Sequence, residues 1–170
     1  MLPNRYETQA CAAARALEIV GERWTLLIVR DAFFGVRRFS DFAVHLDVPR
    51  AVLSERLRSL VQDGVLAREP DPEHPSRHHY RLTAAGRDLW PVLHALVTWG
   101  GTHRVDGPTS RRFTHAACGS ELGPHARCPA CDLTPEPEEV LTAARPGVRP
   151  LRDDPVTQAL QPPRRLLTPL

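Results

Sequence analysis

The segment from Pro49 to Gly64 constrains this chain most. Leu53, Leu57, Leu60 and Val61 fall at i, i+4, i+7 and i+8, which makes one apolar stripe on a helix. The other side shows Ala51, Glu55, Arg58 and Gln62, flanked by Arg50 and Ser54. A helix divided in this way buries its stripe on a partner and leaves the opposite face in water. Pro49 suits a first helical turn and Gly64 stops the helix, so a helix over 49–63 is expected.

The flanking segments supply partners. An Ala-rich helix is expected over 11–20, with Ala14, Leu17 and Val20 on one face. Trp24 and Thr25 open a second helix; Thr25 is a candidate cap, Leu26, Leu27, Val29, Ala32 and Phe33 make it mostly buried, and Gly35 ends it. Ser40 can cap a short third helix over 41–46, and Asp47 in the break Asp47-Val48-Pro49 can cap the fourth. Two extended runs, 65–69 and 78–82, flank the proline-rich Pro70-Asp71-Pro72-Glu73-His74-Pro75 and read as a hairpin with an exposed tip. Thr83 can cap a last helix carrying Leu89, Val92, Leu93, Leu96, Val97 and Trp99; Pro91 inside it requires a kink or a late start. Four helices, a hairpin and a helix make a winged helix-turn-helix. The fold class is mainly α with a small β-hairpin, plus a short C-terminal zinc-knuckle-like module and a Pro-rich tail.

Composition divides the chain near residue 105. Six of the 17 prolines lie in 1–104 and eleven in 105–170. The expected units are a winged helix-turn-helix domain over 1–104, a His/Cys module over 105–134 and a flexible tail over 135–170. All 22 basic residues are arginine, which codon bias explains most simply. Arginine nevertheless makes bidentate contacts to phosphate and guanine that lysine does not. The formal charge of +2 does not by itself point to nucleic acid. No apolar run approaches the roughly 18–20 residues of a membrane helix. Arg5 is followed by Glu7 and no apolar stretch, so no signal peptide is expected. Four cysteines without such a signal argue against a disulfide scaffold, and a cytoplasmic location without membrane contact is expected.

The arginines stand where a DNA-binding winged helix needs them. Arg50 and Arg58 on the outer face of the fourth helix suit guanine or phosphate, Ser54 either, and Glu55 a cytosine amino group, with Ala51 between them. Arg37 and Arg38, with Ser40, precede the third helix and suit phosphate. Arg77 and His78 stand on a wing spanning 68–81, directed at the adjacent backbone or minor groove. His78 and His79 are strand neighbours facing opposite ways, so they are poor co-ligands for a metal.

Residues 11–104 resemble the HxlR-type branch of the MarR-like winged-helix regulators. The resemblance rests on Cys11, Gly21-Glu-Arg-Trp-Thr-Leu-Leu-Ile28, Arg37-Arg-Phe-Ser-Asp-Phe42, Leu53-Ser-Glu-Arg-Leu57, Gly64-Val-Leu66 and Tyr80-Arg-Leu-Thr83 followed by Gly86. It implies a DNA-binding homodimer joined through its first and last helices. Ala12 stands where the family usually has proline, and Pro49 where serine or alanine is common. Cysteines at the place of Cys11 sense oxidants in some members; a thiolate near a helix start is also favoured electrostatically. The alternative for Cys11 is a small packing residue at the dimer interface.

Residues 115–131 read His115-x2-Cys118, nine residues, then Cys128-x2-Cys131. Paired ligands at this spacing match a closed structural zinc site, with His125 a rival fourth ligand and free cysteines the alternative. Phe113, Leu122 and Leu133 are the main apolar residues of the module, so it needs a staple. Residues 140–144 read as a helical turn or two, and Leu166, Leu167 and Leu170 as residues able to dock.

The leading expectation is a sequence-specific DNA-binding transcriptional regulator, with a metabolite, thiol oxidation at Cys11 or zinc loss as its input. The second is a protein-interaction module on a winged-helix scaffold that uses the knuckle and tail. An enzyme is not expected, because no open coordination position, general base or substrate pocket can be named.

Overall fold

A computed structural model describes residues 6–71, 74 and 76–170. Arg5, and Pro72, Glu73 and Pro75 of the expected hairpin tip, lie outside the described residues. The elements in order are α1 (Ala12–Val20), α2 (Thr25–Phe33), α3 (Phe39–Leu46), α4 (Arg50–Gln62), β1 (Leu66–Pro70), β2 (His78–Leu82), α5 (Ala84–Arg87), α6 (Trp90–His103), β3 (Arg111–His115), β4 (Val140–Ala144), α7 (Pro155–Ala159) and β5 (Arg164–Arg165). No helix among the described residues is long and apolar enough to cross a membrane.

The stripe on α4 is buried as its spacing requires: Leu53, Leu57 and Leu60 pack in one core with Ile28, Val29 and Phe33 of α2, Phe42 of α3, and Leu66 and Leu82 of the hairpin. β1 and β2 pair antiparallel from Leu66↔Leu82 to Pro70↔His78. Gly86 lies against this hairpin so closely that a Cβ would stand 2.2 Å from the Val65 carbonyl oxygen.

Several caps differ from expectation. Thr25 is the first residue of α2, whose N-cap is Trp24 at φ 82. α3 begins two residues earlier than expected, with Arg38 as N-cap; Ser40 lies inside it, its hydroxyl 3.0 Å from Asp41 Oδ1. Asp47 does not cap α4. It ends α3 in the left-handed region at φ 51, and Pro49 takes the N-cap position of α4. The last helix is two helices. Thr83 caps α5, accepting from the Gly86 amide, and α6 restarts with Pro91 in its first turn. Proline lacks the N–H that a continuous helix would use, so the late start wins.

The C-terminal third corrects the reading most. Residues 140–144 form a strand, not a helical turn: β4 pairs with β3 from Arg111↔Ala144 to His115↔Val140, and β5 adds to its other edge. The tail beyond 134 is folded rather than flexible. Val140, Val156, Leu160 and Leu166 are buried, and Leu166 is only 1% exposed. Apart from Val156 and Leu160, which stand one helical turn apart on α7, these side chains are separated by stretches with prolines, so no extended periodic stripe announced them. They pack into the same core as the winged helix. Phe113 and Leu122 are buried as expected, whereas Leu133 is exposed. The Phe113 ring lies 5.3 Å from Trp90 and 5.7 Å from His94 of α6, so the two parts of the chain share a core.

Candidate nucleic-acid interface and metal centre

The outward face of α4 carries Arg50, Ala51, Ser54, Glu55 and Arg58, all exposed. These positions recur at helical spacing opposite the buried leucines, so they make one surface. The Arg50 guanidinium sits 4.9 Å from the Phe39 ring centroid, a cation–π contact linking α4 to the start of α3. Glu55 accepts a 2.9 Å hydrogen bond from Arg56, which also lies 3.7 Å from Glu22.

The link between α2 and α3 runs beside the wing. The Tyr80 amide donates to the Arg37 carbonyl at 2.8 Å, and Arg38 bridges His79 of β2. This places Arg38 and Ser40, both exposed, on the same side as the hairpin. Asp71, read as part of an exposed tip, is buried. Its carboxylate lies 3.0 Å from His79 Nε2 and 3.9 Å from Arg38 Nε, and it accepts from the His74 amide. The wing is thus tied where its loop begins, while Arg77 stays exposed. His78 is half-buried and 3.1 Å from an Arg68 guanidinium nitrogen. Arg37 differs from the other candidates. It is half-buried and donates to the Leu167 carbonyl at 3.2 Å, and burial followed by the charge of Arg81 lowers its pKa.

His115, Cys118, Cys128 and Cys131 form a cluster whose ligand atoms all lie within 4.8 Å of one another. β3 delivers His115, the turn after it Cys118, and the loop after the 3-10 turn Pro124–Ala126 the other two. The Cys118 sulfur is 3.5 Å from His115 Nδ1 and 3.4 Å from the Cys128 sulfur. Edges of about 3.5–3.8 Å are what a tetrahedron of zinc bonds of about 2.0–2.3 Å requires. The charge pattern fits a cation as well. Backbone and side-chain hydrogen bonds from Ser120 draw the Cys118 thiol down to about 6, and hydrogen bonding to Cys118 pushes Cys131 up to about 11. Thiolates packed this closely resist joint ionisation unless a metal neutralises them. His125 is not in the cluster.

Cys11 is the exposed N-cap of α1. The amides of Ala14 and then Ala13 lower its pKa.

A family model described as HxlR-like helix-turn-helix matches residues 19–106. The chain belongs to the HxlR-like helix-turn-helix family. It is 46% identical over 145 residues to an uncharacterized HTH-type transcriptional regulator of Mycobacterium tuberculosis H37Rv, covering 80% of this chain and 90% of that one. The crystal structure of PA1607, described as a transcription factor, matches with TM-score 0.65 and 34% identity over 87% of this chain and 99% of that one. The oxidized form of the redox regulator HypR matches with TM-score 0.52 and 28% identity, over 56% of this chain and 100% of that one. The first two likenesses cover more of the chain than the HxlR-like match does, so they run into the C-terminal extension. Sequence reasoning missed Asp71 and the grip of the tail on Arg37. Asp71 sits among prolines that advertise a loop, and the Arg37–Leu167 contact spans most of the chain, beyond the reach of any local pattern.

Proposed function

We infer that this HxlR-like protein is a DNA-binding transcriptional regulator acting as a homodimer, with α4 in the major groove and the β1–β2 wing on the adjacent backbone or minor groove. The observation that carries the reading is the exposed face of α4, where Arg50, Ala51, Ser54, Glu55 and Arg58 stand clear of the core. Arg38, Ser40, Arg77 and His78 extend that face along the α3 start and the wing. Arg37 serves the interface chiefly by anchoring it. Family membership supports the DNA-binding part and is consistent with a cytoplasmic location.

The test is binding to duplex selected by the full chain from a random-sequence pool, measured across salt concentrations. Each phosphate contact adds about 0.9 to the log–log salt slope. Arg58→Ala is expected to cost about 1–3 kcal/mol if Arg58 reads a base, and to relax selectivity at one position. A chain whose Arg50→Ala and Arg58→Ala variants bind duplex like the parent does not use α4 in this way. A protein partner retained by those variants would favour the interaction-module reading instead.

The His/Cys cluster is assigned to zinc. Four protein donors complete a tetrahedron and leave no position for a substrate, so the ion supplies a cross-link and not a reaction. As input, thiol oxidation at Cys11 is supported by its exposure and lowered pKa. Peroxide should then weaken duplex binding by the parent and leave Cys11→Ser unaffected.

A further inference from the structure

The C-terminal extension grips the helix-turn-helix at two places that no DNA contact explains. One grip is Arg152. Its guanidinium donates to Asp47 Oδ2 at 3.0 Å and to the Val44 carbonyl at 3.1 Å, and its Nε lies 3.5 Å from Asp154 Oδ2. Val44 is in the last turn of α3, where carbonyls lack helical partners. A cation there satisfies one orphan acceptor and meets the negative end of the helix dipole. Asp47 is the residue that ends α3 at φ 51, two positions before the N-cap of α4. Asp154 in turn caps α7, accepting from the amides of Val156 and Thr157, so Arg152 is held from the extension's side as well.

The other grip is the chain end. The Leu167 amide donates to the Phe33 carbonyl at 2.7 Å and the Leu170 amide to the Gly35 carbonyl at 3.0 Å. Arg37 completes it by donating to the Leu167 carbonyl. The fit depends on glycine: a Cβ on Gly35, which has φ +92, would stand 1.8 Å from the Thr168 carbonyl oxygen. One grip therefore fixes the C-terminal end of α3 and the turn into α4, and the other fixes the link that enters α3.

We propose that the C-terminal extension is a built-in brace of the helix-turn-helix, with Arg152 the positioning residue that sets the α3–α4 turn for DNA. This rests on the DNA-binding reading above. The ion pair with Asp47 is exposed, and an isolated pair of that kind contributes little. The capped carbonyl and the shared hold on three groups from two parts of the chain make Arg152 more than a surface charge.

The experiment compares the full-length parent with Arg152→Ala and Arg152→Lys, using duplex selected by the parent. Arg152→Ala is expected to weaken binding about tenfold, the size of a lost cap and turn restraint together, with an unchanged salt slope. Arg152→Lys, which keeps a cation near the Val44 carbonyl, should recover part of the loss. Circular dichroism matching the parent keeps unfolding from imitating the result. A slope shallower by about one would mean that Arg152 touches phosphate itself, which overturns the positioning role. Unchanged affinity overturns it too. Hydrogen exchange in the free protein reads the brace without DNA: amides over 43–48 should exchange faster in Arg152→Ala, and equal exchange overturns the brace. A parent that selects no duplex while its variant shows faster exchange would defeat the DNA reading and leave the mechanical brace standing.

Discussion

Phe113 joins the two parts of the chain through one side chain. Its ring meets Trp90 and His94 edge-on and lies 6.4 Å from Phe34 in a stacked arrangement. Phe113→Ala leaves a cavity between the extension and α6, and should cost about 3–5 kcal/mol in urea unfolding. His94 in the same cluster is buried, and its Nδ1 has no hydrogen-bond partner among the described residues. Burial, and secondarily the charge of His125, lowers its pKa from 6.5. The folded protein therefore binds that proton less readily than the unfolded chain does. The stability tied to the neutral ring is complete above about pH 6.5 and is lost as pH falls below it toward the folded pKa. His94→Phe removes the titrating group and an unsatisfied polar atom. The fall in melting temperature between about pH 7.5 and about pH 5.5 should be smaller in the variant than in the parent.

At the scale of elements, α4 was legible because its stripe and its outer face both follow the helical period. The hairpin was legible because alternation and turn residues bracket it. α6 was only partly legible. Trp90, Leu93 and His94 face the core, while Val92, Leu96 and Trp99 recur at helical spacing on an exposed face, with Trp99 58% exposed. Sequence periodicity marks an apolar position without saying which core receives it. An exposed stripe of this kind, with Leu17 of α1 also exposed, suits a second copy of the chain. Leu96→Glu with Trp99→Glu should convert a dimer to a monomer in light scattering while leaving the helical signal intact. A parent that is itself monomeric at micromolar concentration would defeat the dimer assignment. The strand β4 was illegible, since five residues rich in alanine carry no alternation strong enough to outvote a helical reading. Its conformation comes from pairing with β3, whose nearest register partner, His115↔Val140, is 25 residues away and whose widest, Arg111↔Ala144, is 33.

Across the whole molecule, the extension and the winged helix pack into one core. A chain ending near residue 106 keeps the segment matched by the family but exposes Phe34 and Trp90, and should unfold at lower urea than the full chain. Chelation should act in the same direction. Removing the proposed zinc from the His/Cys cluster would take away a cross-link beside β3, and the melting temperature should fall and recover on adding zinc but not magnesium. An unchanged melting temperature in a strong chelator, with no zinc found by elemental analysis of the purified protein, would remove the metal assignment.

By itself the amino-acid order determined whatever rests on local periodicity and spacing: the buried stripe and exposed face of α4, the hairpin, and the paired ligands His115, Cys118, Cys128 and Cys131. Helical and strand periods, and two-residue ligand spacing, are properties of neighbouring residues, so they can be read without coordinates. Only the tertiary structure decided the caps at Arg38, Asp47 and Pro49, the burial of Asp71, the strand at 140–144 and the folding of the tail onto α2 and α3. The strand and the folded tail depend on partners far away in the chain, and the caps and Asp71 on the packing around them. Closing such a contact costs chain entropy that a local pattern does not record, and it forms because the apolar and hydrogen-bonding surfaces of both segments are satisfied together.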